Sequence, residues 1–191
     1  MDQMLAPHEI TRYLEAYKGR WAIVGGKALE VFFGIPSWRE HIDTDVMCPS
    51  LSGTAITANL GARGALLYPF VNSETVHEIP TTPAEITPQS YAVKHGDQDF
   101  WLFELVVDAQ VTETTWGHKH NPEFTLPLTD VIVGKTFNGV EVPLLSPEIS
   151  LAYKYLKGRP KDVIDLRVCL PLLDVMQQRR FAEIVRQAKP N

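Results

Sequence analysis

The chain has 191 residues, 45% of them apolar, which is enough to bury a substantial core in one domain or in a domain with a small helical appendage. Its net charge of -5 offers no general basic surface for gripping a polyanion, so long nucleic acid is not an expected partner, although a small nucleotide can still bind locally. No segment approaches the roughly 20 apolar residues of a membrane span and the N-terminus lacks an apolar leader core, so a soluble, cytoplasmic protein is expected.

Cys48 and Cys169 belong to no CxxC pair or dense cysteine framework, and both read as free, buried thiols. The first predicted element is a short helix within 7–18, where Ile10, Tyr13, Leu14 and Tyr17 form one apolar stripe. Trp21 to Val24 reads as a brief strand, Gly25-Gly26 as a turn, and Ala28 to Phe33 as a helix stopped at Gly34. Ile42 to Met47 has strand period, with Asp43, Asp45 and Met47 on one side and Ile42, Thr44 and Val46 on the other. Both aspartates therefore share a face. Ser50 to Ala62 reads as helix and Ala65 to Val71 as strand, whereas Glu78 to Ser90, with Pro80, Pro83 and Pro88, is excluded from regular structure.

Phe100 to Val111 alternates again, setting Leu102, Glu104, Val106 and Asp108 opposite Phe103, Leu105 and Val107. The His118-Lys119-His120 run reads as an exposed loop rather than a metal pair, because asparagine and proline follow it. Val131 to Thr136 and Val140 to Leu144 form a hairpin about Asn138-Gly139. The composition then changes. Ser146-Pro147-Glu148 has the form of a helix start, followed by an apolar face of Ile149, Ala152, Tyr153 and Leu156, and helical stretches continue over Lys161 to Leu173 and Val175 to Ala188. These features divide the chain into a mixed-sheet domain, residues 1–145, and a helical C-terminal segment, residues 146–191. The expected class is α/β (α+β), a small mixed sheet with helices on one face and the C-terminal helices closing one wall of a cleft.

Two carboxylates at i and i+2 on one strand face repel each other, and a divalent cation removes that cost. Such a pair, joined by a third acid from a neighbouring strand, can hold one or two Mg²⁺ ions against phosphate oxygens; Glu104 and Asp108 both stand on a strand fit to supply it. The glycines of the preceding turn permit close approach of backbone N–H groups to a phosphate, and Lys27 adds a charge. Asp162 and Asp165, near Arg159, Lys161 and Arg167, read as a structural clamp on a helix surface.

The order "GGKALEVFFG", "REHIDTDV", "FELVVD" and "SPEISLAYKYLKGRPKDVIDL" resembles the small nucleotidyltransferases of the DNA polymerase beta superfamily, nearest the aminoglycoside and lincosamide group, over most of residues 20–173. That resemblance implies nucleotide phosphate at Gly25 and Gly26, with Asp43 and Asp45 as Mg²⁺ ligands and Arg39 and His41 bordering the site. It implies Lys154 and Lys161 reaching the triphosphate from the helical tail, and it favours Glu104 over Asp108 as the third acid. The chain departs from the family pattern at Lys27, where many members carry a serine or threonine. The implied reaction moves a nucleoside monophosphate, AMP from ATP first among the triphosphates, to a hydroxyl of a small acceptor such as an aminoglycoside-like antibiotic. A toxin-like enzyme acting on tRNA or protein, and an inactive nucleotide-binding module, are the alternatives, and either a monomer or a homodimer is compatible with the sequence.

Overall fold

The computed structural model describes residues 4–35, 38–41, 43–72, 76, 78–96 and 100–188. Strand β1 (Ala22–Val24) runs directly into helix α2 (Gly25–Phe33), after an opening helix α1 (Pro7–Tyr13). Strand β2 (Asp45–Pro49), helix α3 (Gly53–Gly61) and strand β3 (Ala65–Pro69) follow. Strands β4 (Ser90–His95) and β5 (Trp101–Asp108) come next, then a small hairpin of β6 (Thr115–His118) and β7 (Asn121–Pro127), and a short helix α4 (Leu128–Val131). A second hairpin, β8 (Ile132–Phe137) and β9 (Val140–Leu145), leads into helices α5 (Pro147–Lys157), α6 (Pro160–Cys169) and α7 (Val175–Gln187).

Among the described residues a seven-stranded sheet has the order β3-β4-β5-β2-β1-β9-β8, with β6 and β7 forming a sheet of their own. The sheet is mixed. β2 lies parallel to β5 and β1 parallel to β9, whereas β1-β2, β3-β4, β4-β5 and β8-β9 are antiparallel. Side chains alternate across it, so Ile23, Val46, Cys48, Phe103 and Leu105 enter one core with Ile10 of α1, Val31 of α2 and Ile56 and Leu60 of α3. Ala22 and Met47 enter a second core on the opposite face, with Trp116, Ile149 and Ala152 of α5 and Ile184 of α7. The N-terminal helices thus cover one face, and the C-terminal helices cover the other. Leu29, Leu151, Cys169 and Leu173 join α2 to α5 and α6 in a third cluster.

Local chemistry accounts for most element boundaries. Asn138 and Gly139 both have positive φ, 48° and 74°, the requirement of a two-residue turn matched to strand twist. Gly158 closes α5 in the left-handed region at φ 62°, and the Asp174 carboxylate caps α7 by accepting from Met176 N and Gln177 N, each at 2.8 Å. Ser146 takes the cap position of α5 without a side-chain cap bond. The opening helix ends at Tyr13, earlier than its apolar stripe, and α2 starts at the glycines themselves. The expected strand over Ile42 to Met47 begins at Asp45; Ile42 lies outside the described residues. The proline-rich stretch holds one 3-10 turn, Pro83–Glu85. Strand β4 and the β6-β7 hairpin were not anticipated, and His118, expected in an exposed loop, is fully buried on β6 with its ring stacked 7° from the plane of Tyr153. No helix among the described residues is long and apolar enough to cross a membrane. Both cysteines are free and buried, and burial pushes each thiol up to about 12.

Candidate active site

The parallel register of β2 on β5 pairs Asp45 with Glu104, and side-chain alternation puts both on the face that carries Met47 and Val106. Asp43 stands in the segment leading into β2, where Glu104 N donates to Thr44 O at 2.9 Å. Asp45 and Glu104 stand side by side on two adjacent strands, and the charge of Asp43 acts on both. Burial and then the charges of Glu104 and Asp43 push Asp45 up to about 7, against the opposing pull of Lys154 and Lys161. Glu104 is raised by burial and by Asp43, with a hydrogen bond from Ser90 and the charges of Lys157 and Lys161 acting the other way. Asp108 is not part of this group. It pairs with Pro49, four residues and about 13 Å further along β5, and its Oδ1 accepts from Gln110 N at 2.8 Å.

The glycine pair serves close approach. Gly25 has φ 72°, and a side chain there would overlap the Asp45 carboxylate; one at Gly26 would overlap the His41 ring and crowd Arg39. The start of α2 is therefore pressed against both Asp45 and the basic pair that precedes it. Lys27 Nζ is 3.1 Å from Glu30 Oε2, and Glu30 Oε1 accepts the short contact from His41 Nδ1.

Arg39, His41 and Lys154 converge on a buried carboxylate in the helical segment. Asp165, with no exposed surface, accepts Arg39 Nε at 2.7 Å, Arg39 Nη2 at 2.8 Å, Trp38 Nε1 at 2.8 Å and Lys154 Nζ at 2.7 Å, with His41 Nε2 at 3.9 Å. Burial would raise its carboxyl, but hydrogen bonds from Arg39, His41, Lys154 and Trp38 outweigh it and hold the group well below the usual carboxylate range. Asp162 is likewise lowered despite burial, by Arg159 Nε at 2.7 Å and by Lys154 at 3.6 Å. The clamp expected on a helix surface is instead a buried hub. Glu148 has a comparable structural part, accepting Arg180 Nη1 at 3.2 Å between α5 and α7.

Lys161 is exposed at the start of α6 and its charge acts on both Asp45 and Glu104. Lys157, which sequence reasoning missed, acts on Glu104 as well. Partial desolvation, then the charges of Arg159 and Lys119, push its ammonium below the ordinary lysine range, while Asp162 and Asp45 pull it back. The one signal for it was its position in the last turn of α5, one turn beyond Tyr153 on the same helix face. Mutually repelling acids thus lie within electrostatic reach of Lys154, Lys157 and Lys161.

Those acids have the donor chemistry of a divalent-cation site, and the upward shift of Asp45 is the cost that a cation would remove. Among the described residues no group of three or more His, Cys, Asp or Glu stands close enough to hold a metal ion as arranged.

No protein-family profile and no curated protein matches the chain. Solved structures do. A lincosamide antibiotic adenylyltransferase, LnuA, with lincomycin bound, superposes with TM-score 0.53 at 15% identity, covering 98% of this chain and 100% of its own. The aminoglycoside enzyme ANT(2")-Ia, in complex with adenylyl-2"-tobramycin, gives TM-score 0.57 at 15% identity over 95% of this chain and 96% of its own. The chain has the nucleotidyltransferase fold. The solution structure of ANT(2")-Ia repeats the likeness, with TM-score 0.56, 14% identity, 94% of this chain and 88% of the other. Coverage of this extent spans both the sheet and the C-terminal helices, so the nucleotidyltransferase fold includes the wall that carries Lys157 and Lys161.

Proposed function

We propose that the protein is a metal-dependent nucleotidyltransferase that moves a nucleoside monophosphate, AMP first among the candidates, from a triphosphate to a hydroxyl of a small acceptor. The observation that carries this reading is the opposition of Asp43, Asp45 and Glu104 to Lys157 and Lys161. The acids are strained by their own charge, which a divalent cation relieves, and the lysines opposite them offer positive charge to a triphosphate. The neighbours' own ligands, lincomycin and an adenylylated tobramycin, support an antibiotic-like acceptor and adenylyl transfer.

Asp43, Asp45 and Glu104 would hold one or two Mg²⁺ ions, which when bound supply positive charge to the phosphate oxygens. Glu104, raised by burial, is the residue to take the proton of the acceptor hydroxyl as its oxygen bonds to the alpha phosphorus. The bond from that phosphorus to the bridging oxygen breaks, and Lys161 and Lys157 receive the pyrophosphate. Lys154 acts at one remove, since its ammonium is held by Asp165 and Asp162. The start of α2 at Gly25 and Gly26 presents backbone N–H groups beside the acids for the phosphates. The reading keeps the protein in the soluble phase, acting on small molecules rather than long nucleic acid, as its net charge of -5 favours.

The test is incubation with Mg²⁺ and each alpha-labelled triphosphate against aminoglycosides, lincosamides, total tRNA and a small-molecule extract, read by mass spectrometry. A nucleoside monophosphate adduct on a small molecule is the expected product. Label confined to tRNA or protein would move the target to a macromolecule, and bound nucleotide without transfer would make the protein a binding module.

A further inference from the structure

A cavity of about 380 Å³ lies beside α2, under the segment that leads into β2. It is separate from the acid cluster, although Thr44, which lines it, stands between Asp43 and Asp45 in the chain. The Thr44 hydroxyl is spent on Leu5 O at 3.0 Å. Val31, Ile35 and Phe137 are among its apolar lining. Lys27, Glu30 and His41 supply its charged and hydrogen-bonding lining. Its volume falls in the range of small-molecule sites, and an apolar wall with a few convergent polar groups is their usual composition.

The polar side favours one sign of ligand. Glu30 already faces two cationic or hydrogen-donating groups, Lys27 Nζ at 3.1 Å on Oε2 and His41 Nδ1 on Oε1. An incoming amine would have to compete with both for one carboxylate. An incoming anion meets the ammonium of Lys27, which has three N–H donors and gives one to Glu30. The apolar wall then needs a hydrocarbon or aromatic body behind that head.

We propose that this cavity is a second ligand site, which takes a small single-headed anion with an apolar body, of the monocarboxylate class, with its head on Lys27 and its body on Val31, Ile35 and Phe137. The site needs neither nucleotide nor metal, so its test is independent of the transfer reaction.

Octanoate and 1-octanol are the probes, titrated into the full chain without nucleotide or divalent cation. Calorimetry measures affinity and methyl NMR locates the contact. Octanoate should bind saturably at one site, with shifts concentrated at Val31 and Ile35, and at least about tenfold more tightly than 1-octanol, the worth of a charge-assisted hydrogen bond. Lys27→Met should remove that preference and leave octanol binding in place. Ile35→Trp, at a half-buried position where bulk fills the cavity, should abolish binding of both, with an unchanged thermal melt as the check on folding. Octanoate that fails to saturate, that binds no better than octanol, that shifts methyls elsewhere, or that is indifferent to Lys27→Met would overturn the proposal.

Discussion

Arg39 donates to both oxygens of Asp165, Nε to Oδ1 at 2.7 Å and Nη2 to Oδ2 at 2.8 Å, across 126 residues of sequence. This pair ties the segment leading into Asp43 and Asp45 to α6, whose first turn carries Lys161, so it fixes the two walls of the cleft against each other. Asp165→Asn would leave Arg39 and Lys154 with an uncharged partner in a buried setting and should cost about 3–5 kcal/mol. Because the Asp165 carboxyl is held below its ordinary value in the folded protein, its contribution is present above the ordinary carboxylate range and is lost as pH falls through the depressed value. Urea unfolding from pH 7 down to pH 3 should therefore show a shallower acid loss in Asp165→Asn than in the parent; parallel curves would contradict this account.

Asp45 has the opposite sign. Its pKa is raised to about 7, so without metal the folded state binds a proton more readily than the unfolded chain, and stability should fall as pH rises from about 4 to about 7. Asp45→Asn should be the more stable protein at pH 8 without divalent cation and should match the parent at low pH. Mg²⁺ should raise the melting temperature of the parent at pH 8 and leave that of the variant unchanged. Transfer should fall at least about 100-fold in the variant, the kinetic equivalent of losing a few kcal/mol of charge stabilisation.

The third acid can be assigned by a pair of variants. Glu104 lies beside Asp45 in the parallel register, whereas Asp108 is displaced along the strand and turned to Gln110 N. Glu104→Gln should abolish pyrophosphate release, and Asp108→Asn should retain most of it. The reverse ranking would place the reacting group further along β5.

The lysines of α5 separate in the same way. Lys157→Ala should raise KM for the triphosphate by about tenfold with little change in melting, since its charge acts on Asp45 and Glu104 and it has like-charged neighbours in Arg159 and Lys119. Lys154→Ala should lower the melting temperature instead, because Asp165 and Asp162 lose a partner at 2.7 and 3.6 Å. Steady-state kinetics beside thermal melts distinguish the two.

Several elements were legible because their causes are local. The Asn138-Gly139 turn needs two positive φ angles, the start of α5 suits the proline at its first position, and the alternation through β2 and β5 follows from a two-residue period. The aspartate pair and the glycine turn could be named for the same reason. Strand β4 was hidden by the proline-rich stretch before it, since what makes it a strand is its pairing with β3 and β5 rather than any strong local preference. The burial of His118 depends on Tyr153, in a different part of the chain.

What the linear order carried unaided was the kind of site, a carboxylate pair behind a glycine turn with basic residues later in the chain. Which of these residues stand side by side is decided only by folding. The register of β2 on β5 put Glu104 beside Asp45 and left Asp108 out of reach, and a choice of register is made by packing across both sheet faces, which no window of sequence contains. Asp165 draws Arg39, His41 and Lys154 to one point, a convergence the linear order does not show, because a buried carboxylate must be paired wherever the donors come from. Lys157 emerged by the same physics, since the charges that act on it come from segments the chain order keeps apart.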